Sequence, residues 1–454
     1  MPSTAAAFLF RWGMRLLLGL LLLLALVGAG RLLQVSWQSH YDGPREPYLQ
    51  MVSSEGITLR WQSGQREIGV VRYGTDPARL EQVAREDSAR IGHEIRLSGL
   101  LPATRYYYAV GSDTAVYRGG SDYWFHTAPA PGSAAAARLW IQGDPGWWHE
   151  GSRAVRDGML QWVGNNPRSG RAPLDLWLTT GDNAYNSGKA HEFQSALFEP
   201  YADLLRNIPY LPVYGNHDAR RWTFSRVFSF PAAAEAGGVA SGSPRYFSFD
   251  YADVHVVVLD SESSALGERS MMLRWLRRDL AANRQPWTIA LFHHPPYSRG
   301  SHDSDRWRDS WGRMVDMRAH FLPVLEAGGV DVVLSGHSHM YERSVLLTCH
   351  YGHSTTLQPD MVLDGGRGTP YRKPAGRVSH GGTVYAVVGS TANLDHGPLD
   401  HPAHAVSLRE LGALLIDVEG ERLDARFINA HGEVSDHFSI VKSATTAAVE
   451  RRCD

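Results

Sequence analysis

Five short stretches of the chain each close an apolar run with a side chain that can bind a metal ion. They are Gly143-Asp144-Pro145-Gly146, Gly181-Asp182-Asn183-Ala184-Tyr185, Gly215-Asn216-His217-Asp218, His293-His294 and Gly336-His337-Ser338-His339. A single Asp after Gly is ordinarily a turn residue. The ordered series Asp144, Asp182, Tyr185, Asn216, His293, His337 and His339, drawn from five strand ends, is instead a donor set for two adjacent cations. Carboxylates and a phenolate are hard oxygen donors suited to a trivalent or strongly Lewis-acidic ion. Imidazole and an amide carbonyl suit a divalent ion such as zinc, iron(II) or manganese. Two such ions roughly 3.5–4 Å apart, bridged by one carboxylate, clamp a phosphoryl group and activate a water between them. Their charge lowers the pKa of that water, and a histidine is the natural proton donor to the leaving oxygen.

Residues so far apart in the chain need a scaffold that gathers them. In open α/β sheets, the loops at the carboxyl ends of the strands converge on one crevice. From Arg138 onward, strand-like runs alternate with helical ones. Residues 139–142 lead into Asp144, 174–180 into Asp182, 211–214 into Asn216, 288–292 into His293 and 330–334 into Gly336. Amphipathic helices are expected at 152–163, 191–205, 270–280 and 314–325, with closing strands at 383–388, 413–418, 423–428 and 438–441. This pattern predicts a layered α/β domain over residues 138–441, with 442–454 as a tail.

Before it, residues 47–127 read as all-β. Six short alternating runs (48–52, 57–61, 68–73, 93–97, 106–110 and 123–126) are separated by Gly, Ser, Asp or Pro, as in a small sandwich. The Pro/Ala/Gly/Ser stretch 128–137 is the expected linker. The default role of the β domain is structural or interface-forming, with glycan or cell-wall binding as the alternative.

At the N-terminus, Arg11 and Arg15 precede an apolar run from Leu16 to Gly30. Residues 1–30 therefore read as a cleaved signal peptide, with Val27-Gly28-Ala29 near the cut, or as an uncleaved membrane anchor. Either way the remainder is exported, to a periplasmic or extracellular location or to the outer face of the membrane. Residues 31–45 are expected to be a polar linker. In an oxidising compartment Cys349 and Cys453 form one disulfide or stay as two thiols. A net charge of −2, without a basic run interleaved with aromatics, excludes an electrostatic nucleic-acid binder. With 454 residues, 43% of them hydrophobic, the chain is long enough for two cores.

The motifs GDPG, GDNAY, GNHD, ALFHHPPY and GHSHMYER together resemble those of the calcineurin-like metallophosphoesterases, and within them the purple acid phosphatases. The tyrosine three residues after the second Asp and the Met-Tyr-Glu-Arg after the last His mark that branch. The third motif ends in Asp218, where the branch usually has Glu. The resemblance spans residues 47–441. It implies a fibronectin type III-like sandwich followed by a two-sheet β-sandwich flanked by helices. It also implies that Asp144, Tyr185 and His339 bind iron(III), that Asp182 bridges, and that Asn216, His293 and His337 bind zinc, iron(II) or manganese. A metal-bound hydroxide would then attack a phosphate ester in line.

His217 is the first candidate for phosphate contact and proton donation. His294 is the second, although neighbours on an extended segment point opposite ways. Trp147, Trp148 and His149 are candidates for the pocket mouth. The stretch Cys349–Lys373 and the loop holding His396, His401 and His404 read as solvated loops or as a substrate-selecting lid. The leading expectation is an exported phosphomonoesterase. The alternatives are a phosphodiesterase acting on nucleotide, lipid or wall diesters, a metal-containing binding protein without turnover, and a surface adhesin. Substrate identity and oligomeric state are not written in the sequence.

Overall fold

A computed structural model describes residues 4–366, 368, 370–446 and 453. The β-rich segment forms two small sheets. One orders Arg45–Ser53, Gly56–Glu67 and Arg90–Ser98. The other orders Gln82–Arg85, Val70–Gly74, Arg105–Gly111 and Val116–Arg118, with Trp124–His126 also paired to Arg105–Gly111. Two of these strands, Gln82–Arg85 and Val116–Arg118, lie outside the six runs read from the sequence. Both are mostly exposed edge strands, so they carry no inward apolar alternation.

The second half is a sandwich of two seven-stranded sheets. The first runs Tyr210–Leu211, Leu176–Thr179, Ala137–Gln142, Gly412–Glu419, Arg422–Asn429, Val434–Ser443 and Tyr371–Pro374. The second runs Phe247–Tyr251, Val254–Val258, Trp287–Leu291, Val332–Ser335, Val384–Val388, Tyr341–Ser344 and His404–Leu408.

Side-chain alternation assigns the faces of the second sheet. Val256, Val258, Ile289, Leu291, Val332 and Leu334 turn inward to join the core shared with the first sheet. The intervening Val257, Ala290 and Val333 turn outward against Leu276, Phe321 and Leu325 of the covering helices. Both faces of these strands are apolar, which is what a parallel central strand covered on two sides requires. On the far side, the helix Glu150–Asn165 buries Val155, Met159 and Val163. The β domain is not a loose appendage: Tyr48 donates to the Val227 carbonyl at 2.6 Å and Tyr108 to the Arg206 carbonyl at 2.7 Å.

Four expectations are corrected. Residues 31–45 are not a free linker, because the N-terminal helix runs unbroken from Thr4 to Gln38. The expected helix at 191–205 is two short α-helical pieces around a π turn at Gln194–Phe198. The stretch Cys349–Lys373 is not simply a surface loop: it supplies Val362–Asp364, paired with Leu346–Leu347, and then the sheet-edge strand Tyr371–Pro374. His401 is buried and His404 opens a strand, so neither belongs to a solvated loop. The strand Tyr371–Pro374 owes its conformation to a partner far along the chain, Val434–Ser443; the helix past Gly30 is mostly exposed and is continued by local i to i−4 hydrogen bonds.

Candidate metal centre

The parallel strands 137–142, 176–179, 287–291 and 332–335 all end toward one crevice. Asp144 lies two residues past its strand, Asp182 three, His293 two, and His337 and His339 two and four. Asp144, Asp182 and His337 adopt left-handed backbone conformations with φ of 55°, 52° and 68°. L-residues rarely do so, and the cost, of order 1–3 kcal/mol each, is characteristic of functional turns. The preceding glycines permit close approach. A β-carbon on Gly215 would strike the Asp182 carboxylate, and one on Gly336 would strike that of Asp144.

The seven expected ligands come together. Donor atoms of Asp144, Asp182 and His293 all lie within 4.8 Å of one another. Tyr185 Oη sits 3.2 Å from Asp144 Oδ1 and 3.1 Å from His339 Nε2. Asn216 Oδ1 is 2.9 Å and Asp182 Oδ1 3.5 Å from His293 Nε2. Hydrogen bonds behind the ligands select which nitrogen faces inward. His293 Nδ1 donates to the Thr180 carbonyl at 2.9 Å and His339 Nδ1 to Asp395 at 2.7 Å, freeing Nε2 in both. His337 Nε2 meets Ser310 Oγ at 2.6 Å, freeing Nδ1. Such carboxylate, carbonyl and hydroxyl partners are the usual supports of metal-binding imidazoles.

The electrostatics favour added positive charge. Asp144 and Asp182 are buried, and among the described residues neither has a Lys or Arg partner; their only ion-pair neighbours are histidines. Two buried carboxylates whose only cationic neighbours are titratable histidines are unfavourable without further positive charge. The donor set therefore fits two metal ions. In their absence, burial and the Asp144 charge push the Tyr185 phenol well above its ordinary value, so a phenolate there needs a strong Lewis acid. Burial works against a charged His339, but bonding to Asp144 and Asp395 outweighs it and lifts the ring to about 9. Burial, followed by the Asp182 charge, raises Asp218 to about 8. Asp218 binds the Asn183 and Gly215 amides at 3.0 Å each, locking the second and third motifs together.

His217 enters from the open side. Its amide donates to Asp182 Oδ1 at 2.8 Å, its Nδ1 to the Asn186 carbonyl at 2.8 Å, and its Nε2 lies 3.9 Å from Asp182 Oδ2. His294 does not point away from His293 as strand alternation suggested. The chain bends after Leu291, and His293, His294 and His337 form a buried triplet with ring nitrogens within 4.8 Å. His294 Nδ1 is held by Ser261 Oγ at 2.9 Å, so the ring reaches the cluster from behind. Trp147, 38% exposed, lies 5.1 Å from the Tyr185 ring at the mouth. Trp148 instead packs on Tyr201, and His149 caps the helix that follows.

Three participants escaped the sequence reading. His302 stacks on His337 at 3.9 Å and bonds Asp309 at 2.8 Å; Ser310 and Asp395 support ligands directly. They lie on irregular segments without periodic pattern, which left no sequence signal to find them by.

The family described as Calcineurin-like phosphoesterase matches residues 137–341, and the Purple acid Phosphatase, N-terminal domain matches residues 44–127. The chain belongs to the purple acid phosphatase branch of the calcineurin-like phosphoesterases. It is 26% identical over 335 residues to purple acid phosphatase 18 of Arabidopsis thaliana, covering 69% of each chain. It is 27% identical over 333 residues to purple acid phosphatase 1 of Ipomoea batatas, covering 67% of this chain and 66% of that one. The match thus spans about two thirds of these relatives. In fold it resembles the purple acid phosphatase PPD1 of yellow lupin, with a TM-score of 0.67 and 18% identity over 88% of this chain and 75% of that one. It also resembles PhoD, with a TM-score of 0.61 and 11% identity over 89% and 92% of the two chains. The family implies a binuclear metal centre, and the converging donors described above are where this chain would hold it.

Proposed function

We propose that this protein is an exported acid phosphatase that hydrolyses phosphate monoesters at a two-metal site. The observation that carries the reading is the buried pair Asp144 and Asp182, without a Lys or Arg partner among the described residues, converging with His293, His339, Tyr185 and Asn216. Asp144, Tyr185 and His339 would hold iron(III). Asn216, His293 and His337 would hold zinc, iron(II) or manganese, and Asp182 would touch both. When bound, the ions supply charge neutralisation for the phosphoryl oxygens and an acidified water.

The chain's own groups do the rest. His217 Nε2 faces the centre while Nδ1 is pinned on Asn186, which sets the ring to contact phosphate and to pass a proton to the leaving oxygen. His302 Nε2 has no protein partner among the described residues and offers a second polar contact on the open side. His294, held by Ser261, positions its neighbours. Export is supported by the apolar N-terminal helix and by the pairing of Cys349 with Cys453, Cα atoms 5.1 Å apart.

The test compares hydrolysis of a chromogenic phosphate monoester with that of its matching diester, using Asp182→Asn as the control. Monoester turnover that is faster and lost in the control is the expected result. Faster diester turnover would replace this reading by a phosphodiesterase, and no turnover with bound metal would leave a binding protein.

A further inference from the structure

The N-terminal helix spans Thr4–Gln38, 35 residues, or ~52 Å at 1.5 Å per residue. Within Trp12–Gln38 the most apolar 18-residue window has mean hydropathy 2.4, and none of that window is buried against the protein. A bilayer core is ~30 Å thick and takes about 20 helical residues. With Arg11 and Arg15 kept on the inner side, that core runs from about Leu16 to about Val35. Arg31 then lies within a few ångströms of the outer boundary, where its long side chain reaches water. Less than one helical turn remains before the folded protein.

That turn is docked onto the loop that follows the third metal-ligand motif. Ser39 Oγ donates to the Val35 carbonyl at 2.7 Å and accepts from the Trp222 amide at 3.1 Å. Arg221 Nε donates to Gln38 Oε1 at 2.8 Å. The Arg226 guanidinium reaches His40 Nε2 at 3.0 Å, and His40 Nδ1 donates to the Ser36 carbonyl at 2.7 Å. From Asn216 to Trp222 is six Cα steps, at most about 20 Å fully extended. The turn at Asp218–Arg220 shortens it further. The headgroup layer itself fills about 5–7 Å of that interval. Trp37 and Trp222, 76% and 44% exposed, flank the junction, with Arg220, Arg221 and Arg226 beside them. Exposed Trp and Arg at such a level are the side chains of a membrane interface facing anionic lipid.

We propose that the N-terminal helix is a retained anchor that holds the metal centre against the bilayer surface, and that the substrate is a phosphate monoester borne on a membrane lipid. The proposal rests on the phosphatase reading above and names its substrate class. In the reaction a water oxygen bonds to phosphorus, the bond from phosphorus to the lipid oxygen breaks, and that oxygen leaves with the electron pair and takes a proton. The products are inorganic phosphate and a lipid alcohol that stays in the bilayer. A soluble phosphate ester offers the same headgroup chemistry, and the two sources separate by where the substrate sits.

The full chain is reconstituted into phosphatidylcholine vesicles, and release of inorganic phosphate from phosphatidic acid is measured. The lipid is placed either in the same vesicles or in separate ones, and a chromogenic soluble monoester reports the basal activity. The proposal expects the same-vesicle rate to exceed the separate-vesicle rate by tenfold or more. A 20-residue helical insert after Gln34, which lifts the domain by ~30 Å, should keep soluble-ester turnover within twofold and cut the same-vesicle rate at least tenfold. If the insert also costs soluble turnover, the comparison of same and separate vesicles with the parent chain decides. Equal rates in the two arrangements, soluble turnover without lipid turnover, or a mature chain whose mass lacks residues 1–30 would each overturn the proposal. If the parent hydrolyses neither substrate, the phosphatase reading itself fails.

Discussion

Asp395 illustrates how much of the centre depends on single side chains outside the candidate metal ligands. Its carboxylate accepts from His339 Nδ1 at 2.7 Å and so leaves Nε2 to face Tyr185 and Asp144. Asp395→Asn retains the shape but removes the charge. The expected consequence is a 10–100-fold loss of metal affinity, measured as metal content after dialysis against graded chelator; unchanged retention would remove Asp395 from the site. Tyr185 makes a sharper prediction. Its phenol is driven well above the ordinary value by burial and by Asp144, so its ionisation depends on the metal. Tyr185→Phe should abolish any visible absorption band of the purified protein while the fold survives; a band that persists would show that the colour does not come from this tyrosine.

At the scale of elements, the strands and helices are stitched by buried polar groups whose charge state matters. His255, in the strand Val254–Val258, bonds Asp250 on the neighbouring strand at 2.7 Å and Asp279 on the helix Met271–Ala282 at 2.8 Å. Burial opposes its charge, but the two carboxylates prevail and raise it from 6.5 to about 9. A group raised in the folded state contributes stability that is full below its unfolded value, near 6.5, and is lost as pH climbs through about 9. The contribution is at most about 3 kcal/mol. The melting-temperature gap between the parent and His255→Gln should therefore be widest near pH 6 and close by pH 9 to 10. A gap that grows with pH would contradict the assignment.

For the whole molecule, the C-terminal tail is tied back by the Cys349–Cys453 bridge, which closes a separation of 104 residues. Closing so long a loop restricts the unfolded chain, and such bridges typically contribute about 2–4 kcal/mol. Cys453→Ser should lower unfolding stability by that amount in oxidising buffer and by nothing in reductant. Equal stability of the two chains without reductant would show that the bridge is not formed in solution. At the opposite end, the end of the N-terminal helix, the β domain and the loop after Asn216 meet through Gln38, Ser39, His40, Tyr48 and Trp222, so the helix end and Cys453 are both fastened to the catalytic half.

Much of the centre was legible before any coordinates because its ligands follow buried strands. Apolar runs such as 288–292 and 330–334, each stopped by Gly or His, are local signals, and parallel strands carry their ends to one edge of the sandwich. Asp144, Asp182, Tyr185, Asn216, His293, His337 and His339 could therefore be named as candidates from their order in the chain, and the fold brings them together. The two-sheet architecture could be named as well, once the motifs were matched to a family. Spacing carried no such signal for His302, Ser310 and Asp395, which reach the ligands from irregular loops, or for the inward turn of His294, where a bend replaces the strand. Nor did it show the helix running past Gly30 to Gln38, or Tyr371–Pro374 closing a sheet edge beside Val434–Ser443. Apart from the helix, which is continued by local hydrogen bonds, these depend on contacts between segments tens to hundreds of residues apart. A periodic pattern records which face of an element avoids water; it does not record which distant backbone completes its hydrogen bonds, and that was settled only when the chain packed.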